Sequence, residues 1–404
     1  MDNLKDVLFL MPKKPDPPYE DGTVLIYYYL TKFLENMNII YFEDPSKTYK
    51  HDPLYPSYEL NHNITTIKLS QKEKNKLSFI NGYDIDMNYY FEDKSLNQIL
   101  DYIESNGIKV VFCNITLLKY AEKIKKLTNC LVILHSIDAK SMVERSVMKN
   151  SDTKEFIKSV LKFRLYRGIE KKFTTFDKII VVSDIDREYL LESLHLDKRK
   201  VSTVTNGVDL DFFHPLNTKY ENEKFTLGFS GIMDYYPNLE GAKYFLNDIF
   251  PKLLSKIDDV EFYIIGKNPP KELQDLSQKF KGKVKVTGFV NDIREYLNRL
   301  DVYISPLNSG GGIKNKVLEA MAMELPIIAS ATSVSGIEYN DEIIVYKNND
   351  DFILKIFELY NSKTKRVKLA KTAREYVDTN YSWKAKAVEY HNIINKMKLE
   401  GREN

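Results

Sequence analysis

Cysteine is nearly absent: the 404 residues contain 2, Cys113 and Cys130. Both sit inside apolar runs, VVFCNI and NCLVIL, where a thiol acts as a small core hydrophobe, so neither a disulfide framework nor a metal site is expected. An excess of one charge is missing too. Lys and Arg number 59 against 57 Asp and Glu, a formal +2, too even for a chain that grips nucleic acid over its whole surface. No nucleic-acid partner is expected, and electrostatic recognition must be local. Long hydrophobic runs are also lacking. The N-terminal run ends after five residues, Val7 to Met11, far short of a signal-peptide core or a membrane span, so the expected location is cytoplasmic. What remains is an ordinary globular composition, 43% apolar and 29% charged, which excludes disordered, collagenous and coiled-coil classes. At about 150 residues per domain the length suits two domains or one large one.

The second half has the clearer pattern. Short β-branched and aromatic runs (FTLGFSG from Phe225, VEFYIIGK from Val260, VKVTGFV from Val284, DVYISPL from Asp301, PIIAS from Pro326, EIIVYK from Glu342) alternate with helix-length segments. Such alternation makes a parallel sheet covered on both faces by helices, an α/β fold. Gly231, Gly266, Gly288 and Gly310 follow the runs, at the strand ends where doubly wound sheets bind ligands. The first half repeats the theme with VLFLM, NIIYFED, TTIKLS, KVVFCNI, CLVILHS and DKIIVVS, which predicts a second α/β domain. From Pro45 to about Asn88 no period lasts, and irregular excursions are expected. TVTNGVDLDFFHP, with turn-forming Asn206-Gly207 and a closing Pro215, lies between the halves and marks the expected boundary.

The most informative stretch is SPLNSGGGIKNKVLEAMAMELPIIAS, Ser305 to Ser330. A strand ends near Ser305, Gly310, Gly311 and Gly312 form a loop, and a helix with Val317, Ala320 and Met321 on its apolar side follows at once. Exposed N–H groups at such a helix start bind phosphate, and lysines in the first turn add charge. Lys314 and Lys316 are placed for this, with Lys316 expected on the solvent-facing side. Glu319, three residues beyond Lys316, shares its face, and its carboxylate can accept two hydrogen bonds from a ribose diol. A Gly-rich turn before a solvated, charged helix start has the same sequence, so the loop by itself leaves both readings open.

GGGIKNKVLEAMAMELPIIAS resembles the nucleotide-sugar site of the retaining glycosyltransferases of family 4, the glycosyl transferases group 1, in its Gly-rich loop, basic residue, E-A-M-A and Pro before a strand. TNGVDLDFFHP resembles that family's interdomain segment, FSGIMDYYPNLEGAKYF its first C-domain strand and helix, and YSWKAKAVEY near Tyr381 its terminal helix. The resemblance spans roughly Asp177 to Ile394. It implies the GT-B architecture: two Rossmann-like domains facing a cleft, 1–205 binding the acceptor and 206–380 the nucleotide-sugar, with a helix at 381–404 returning towards the N-domain. Donor contacts are then implied at Gly231, Gly266, Gly310, Gly311, Gly312, Ile313, Lys314, Lys316 and Glu319, the last two with catalytic roles. No cofactor or metal is implied beyond the donor itself, with a UDP-sugar favoured. Two positions depart from the family. The first of its usual two glutamates is Gly311 here, and GIMDYYPN after the first C-domain strand lacks the usual Arg and Lys, which leaves the phosphate charge to Lys314, Lys316 and the helix start.

On the N-terminal side, PKKPDPPYEDGTVLIYYYLTKFL resembles the loop that lines the family's acceptor cleft, here through Gly22 and Thr23; a plain turn glycine reads the same. His135-Ser-Ile-Asp138 after CLVIL resembles its acceptor-side His or Asp cluster, able to orient or deprotonate a hydroxyl, while a strand-end His bonded to backbone is the structural alternative. Asp84-Ile85-Asp86 and Asp184-Ile185-Asp186 have the D-x-D form of metal-dependent glycosyltransferases, but neither follows the strand that would bind the nucleotide, and the second reads as a helix start with an acidic first turn. Lys158 to Lys178 holds seven Lys/Arg and two acids, with Ile157, Leu161, Leu165, Ile169, Phe173 and Phe176 at helical spacing. It reads as an amphipathic helix whose basic face is solvated or meets an anionic membrane at the inner face. The expected function is transfer of a hexose or N-acetylhexosamine to a glycan, lipid-linked or protein acceptor. A catalytically silent GT-B subunit that binds a partner glycosyltransferase or a protein acceptor is the alternative.

Overall fold

The computed structural model describes residues 4–15, 22–43, 62–69, 82–150, 153–217, 223–310 and 312–400. Gly311 lies outside them, as does most of the stretch from Pro45 to Asn88. The chain forms two compact units, Met1–Thr205 with Lys386–Asn404, and Asn206–Ala385.

The first unit is built on seven parallel strands: β1 (Val7–Met11), β2 (Asn38–Glu43), β3 (Asn63–Lys68), β4 (Val110–Asn114), β5 (Leu131–Ile137), β6 (Lys178–Val181) and β7 (Val201–Thr203), in the order β3-β2-β1-β4-β5-β6-β7. Every residue of β1 and β4 is buried. Continuous rather than alternating apolarity follows from helices covering both faces. Phe9 stands opposite Ile39 on one side and Phe112 on the other. Cys113 and Cys130 are free and buried in this core.

The second unit has six parallel strands: β8 (Phe225–Ser230), β9 (Val260–Ile265), β10 (Val284–Val286), β11 (Val302–Ser305), β12 (Ile327–Ala329) and β13 (Ile344–Val345), ordered β10-β9-β8-β11-β12-β13. In both sheets the order reverses beside the unit's first strand, between β1 and β4 and between β8 and β11. A crevice opens at the strand carboxyl ends at such a point.

The helix Trp383–Glu400 carries the chain back into the first unit, where Tyr390, Ile394 and Met397 are buried. Lys398 Nζ reaches Asp6 Oδ1 at 2.5 Å. Tyr390 hydroxyl lies 3.1 Å from His135 Nε2, and Tyr27 hydroxyl 3.2 Å from its Nδ1. This corrects the expectation of an acceptor-facing His135. The ring is wholly buried, both nitrogens are engaged, and burial pushes its pKa down to about 3, so it is a core residue joining three elements.

The basic stretch is also only partly as expected. Ile169 in the helix Thr153–Lys171 and Phe173 and Phe176 just beyond it are buried, but Ile157 and Leu161, further up that helix, are exposed. Arg167 is committed inward, donating to Ser193 O at 2.8 Å and lying 3.6 Å from Glu170. Both D-x-D triplets sit at helix starts. Asp84 caps Ile85–Tyr90 by accepting from Met87 N, and Ser183 caps Asp184–Leu194 by accepting from Asp186 N.

Candidate functional site

The Gly-rich loop arrives at the switch point of the second sheet. It follows β11 and leads into the helix Asn315–Ala322, whose Val317, Leu318, Ala320, Met321 and Ala322 are buried against the sheet. Lys314, at the N-cap, makes no side-chain cap; Val317 N turns back to Lys314 O at 2.9 Å, and the N–H groups of Asn315 and Lys316 are the ones left for an anion. Lys314 Nζ instead folds back onto the loop, donating to Gly310 O at 3.1 Å and Gly312 O at 2.8 Å. Gly310 and Gly312 have φ of +108° and +66°, backbone that favours glycine.

Across the sheet, Gly231 after β8 lines the site, and Gly266 after β9 packs against Gly231 without lining it. Their φ values are +155° and +143°. A Cβ on Gly266 would stand 1.8 Å from Gly231 O, so the two turns meet backbone to backbone. The cavity between these parts measures about 430 Å³ and is lined by Gly231, Asn238, Gly310, Lys314, Lys316 and Glu319, among others. A larger cavity of about 730 Å³ in the first unit, beside Asp6, Lys109 and Leu131, lies at the amino ends of β1, β4 and β5, the end of a doubly wound sheet away from its ligand crevice.

Lys316 does not face bulk solvent as its sequence position suggested. Its ammonium turns inward, 2.5 Å from Asn238 Oδ1 and 4.7 Å from the centre of the Phe229 ring. Burial depresses its pKa, the charge of Glu319 partly restores it, and Lys314 adds to the depression. Burial likewise raises the pKa of Glu319, which Lys316 opposes. Tyr303, buried in β11, shares a hydrogen bond of 2.9 Å with Ser230 Oγ, and its pKa is raised by burial, with a smaller contribution from Glu319. A cation, a carboxylate and free N–H groups therefore converge in a half-enclosed space where each interacts strongly. Asn238 was not among the expected site residues. Its only sequence signal is its place in the base-free turn GIMDYYPN.

In the first unit, Gly22 and Thr23 lie in the first turn of the helix Gly22–Phe33. Asp138, just past β5, is exposed, unlike His135. Partial desolvation of its carboxyl, then the carboxylate of Asp186, holds its pKa above the ordinary carboxylate range, against the pull of Lys140. Ile137 before it has φ +67° at a register break between β5 and β6, a strained conformation for a β-branched residue.

Residues 224–362 match the family described as glycosyl transferases group 1. This group 1 segment holds the whole cavity. The chain is 25% identical over 243 residues to the UDP-Gal:alpha-D-GlcNAc-diphosphoundecaprenol alpha-1,3-galactosyltransferase of Escherichia coli, covering 54% of this chain and 60% of that protein. It is 29% identical over 177 residues to a phosphatidyl-myo-inositol mannosyltransferase of Mycolicibacterium smegmatis, covering 42% and 44%. The chain thus spans about half the length of these relatives. Among solved structures, sucrose-phosphate synthase from Thermosynechococcus elongatus superposes with a TM-score of 0.67 at 15% identity, covering 98% of this chain and 100% of that one. The fold is that of the GT-B glycosyltransferases.

Proposed function

We propose that the protein is a retaining glycosyltransferase of family 4 that moves a hexose or N-acetylhexosamine from a nucleotide-diphosphate sugar to an acceptor hydroxyl in bacterial cell-surface polysaccharide or glycoconjugate synthesis. The observation that carries this reading is the convergence of Lys314, Lys316, Glu319 and an uncapped helix start on one cavity at the switch point of the second sheet. Its volume suits a nucleotide-sized ligand. A UDP-sugar is the favoured donor, supported by the donor in the name of the E. coli relative. As the glycosidic bond to the diphosphate breaks, negative charge builds on the leaving oxygen. Lys316, Lys314 and the N–H groups at the positive end of the helix are preorganised to receive it. Glu319 is assigned to the ribose diol and Asp138 to orienting the acceptor hydroxyl. With His135 enclosed, its imidazole does not serve as base there, and retention would rest on a donor phosphate oxygen accepting the proton on the face the leaving group vacates.

Incubating the purified protein with UDP-, GDP- and ADP-sugars and measuring release of free nucleoside diphosphate tests the reading. Release from one donor class is expected; none from any, with bound nucleotide still detected, would make the protein the catalytically silent subunit. Glu319→Gln should weaken binding of a ribonucleotide donor about tenfold, by loss of a charged acceptor, and leave a 2′,3′-dideoxy donor unaffected. An equal effect on both would remove Glu319 from the ribose.

A lipid-linked acceptor at an anionic surface fits the exposed residues of the paired helices Lys140–Asn150 and Thr153–Lys171. Val143, Phe156, Ile157 and Leu161 are 47%, 45%, 57% and 60% exposed on them, large apolar side chains left open to solvent, and Lys158, Lys162 and Arg164 on the second helix are exposed too. Among the described residues no helix is long and apolar enough to cross a membrane. Insertion of these apolar side chains with lysines at headgroup level gives peripheral, salt-sensitive binding. Native protein should sediment with phosphatidylglycerol vesicles at low salt, and a variant with Ile157→Ser, Leu161→Ser, Lys162→Gln and Arg164→Gln should stay in solution. Equal partitioning of the two would return these helices to a solvated surface and the acceptor to a soluble glycan or protein.

A further inference from the structure

We infer that Asn238 is a positioning residue for the donor diphosphate: it holds the Lys316 ammonium over the bare backbone at Gly231. The inference rests on reading this cavity as the nucleotide-diphosphate site.

Asn238 is 5% exposed and lies on the helix Tyr236–Tyr244, which has Pro237 in its first turn. Its Nδ2 donates to Ile232 O at 2.9 Å, while its Oδ1 accepts from Lys316 Nζ at 2.5 Å. This orientation is forced. A carbonyl only accepts and an ammonium only donates, so a flipped amide would put acceptor against acceptor and donor against donor. The turn that carries no cation therefore presents a fixed acceptor, which fetches the cation from the helix Asn315–Ala322 across the sheet. The space above the turn is reserved for this meeting. A Cβ on Gly231 would stand 2.6 Å from Asn238 Nδ2 and 2.7 Å from Lys316 Nζ. The Phe229 ring beneath the ammonium completes the seat. A lysine stem with four rotatable bonds pays for its ordering once, in folding, instead of at each binding event.

Calorimetric titration with UDP tests this in four proteins: native, Lys316→Ala, Asn238→Ala and the double variant. Native protein that binds none of UDP, GDP or ADP would sink the reading of the cavity itself. If UDP binds, Lys316→Ala should weaken it about ten- to a hundredfold and Asn238→Ala about five- to tenfold. The double variant should bind no worse than Lys316→Ala, because Asn238 acts only through the lysine. Additive losses, or undiminished binding by Asn238→Ala, would overturn the assignment. Should Asn238→Ala fail to fold, Asn238→Asp decides, since it keeps the acceptor and adds a negative charge beside the ammonium. The titratable groups around Lys316 are Glu319 and Lys314, with Tyr303 beyond Glu319, and none of them is changed. The alkaline limb of UDP affinity against pH should move to higher pH in Asn238→Asp. A limb in its native place would mean that the amide merely caps the turn.

Discussion

Lys316→Ala is expected to lower turnover about ten- to a hundredfold, because the charge-assisted phosphate contact proposed for it is worth roughly 1.5–3 kcal/mol. The structure adds a second expectation, for stability. The ammonium is held inward with an amide and a ring for partners, and burial lowers its pKa, which means that folding without ligand disfavours the charge that binding needs. Lys316→Met keeps the stem and removes the charge, so its melting temperature should equal or exceed the native value while its turnover falls as far as that of the alanine variant. UDP should raise the melting temperature of the native protein and much less that of Lys316→Met. Native turnover in either variant, with the fold intact, would remove the lysine from the mechanism.

The second large effect is on stability against pH. His135 has a pKa of about 3 in the fold against the usual imidazole value of 6.5. The unfolded chain therefore binds a proton below about pH 6.5 that the folded chain refuses until about pH 3, and the stability this residue contributes above pH 6.5 is lost as the pH falls through that window. At 1.36 kcal/mol per unit the full loss is about 5 kcal/mol, a large part of the stability of an ordinary domain. The raised pKa of Asp138 works in the opposite direction, so the test compares two proteins. Hydrogen exchange of β4 and β5 peptides between pH 7.5 and 4, corrected for intrinsic rates, should show the native protein losing protection steeply and His135→Gln starting lower but falling less. Parallel curves would mean that the buried imidazole does not carry the acid sensitivity of this unit.

Much of this was legible in the residues. Runs such as VLFLM and VVFCN are apolar at every position because both sheet faces are covered, and their alternation with helix-length segments fixes a parallel α/β fold with little help from tertiary detail. The loop at Gly310 to Gly312 and the helix that follows could be placed for the same reason: glycine at positive φ and an uncapped helix start are local properties of the chain. The direction in which Lys316 points is not local. Helical spacing puts it on a polar face, but only the position of Asn238, 78 residues earlier in the chain, turns that face into the wall of a cavity. His135 shows the same limit from the other side. Its place at the end of CLVIL fits a site residue equally well, and what decides is Tyr390, brought 255 residues along the chain to close a hydrogen-bonding box around the ring. The half-buried, half-exposed stripe from Ile157 to Phe176 likewise depends on where the rest of the first unit stops covering a helix longer than the core beneath it. Sequence determined the elements, the sheet order's ligand-binding end and the residue types at the site; tertiary structure alone decided which polar side chains face one another, because hydrogen-bond partners distant in the chain leave no period or spacing to read.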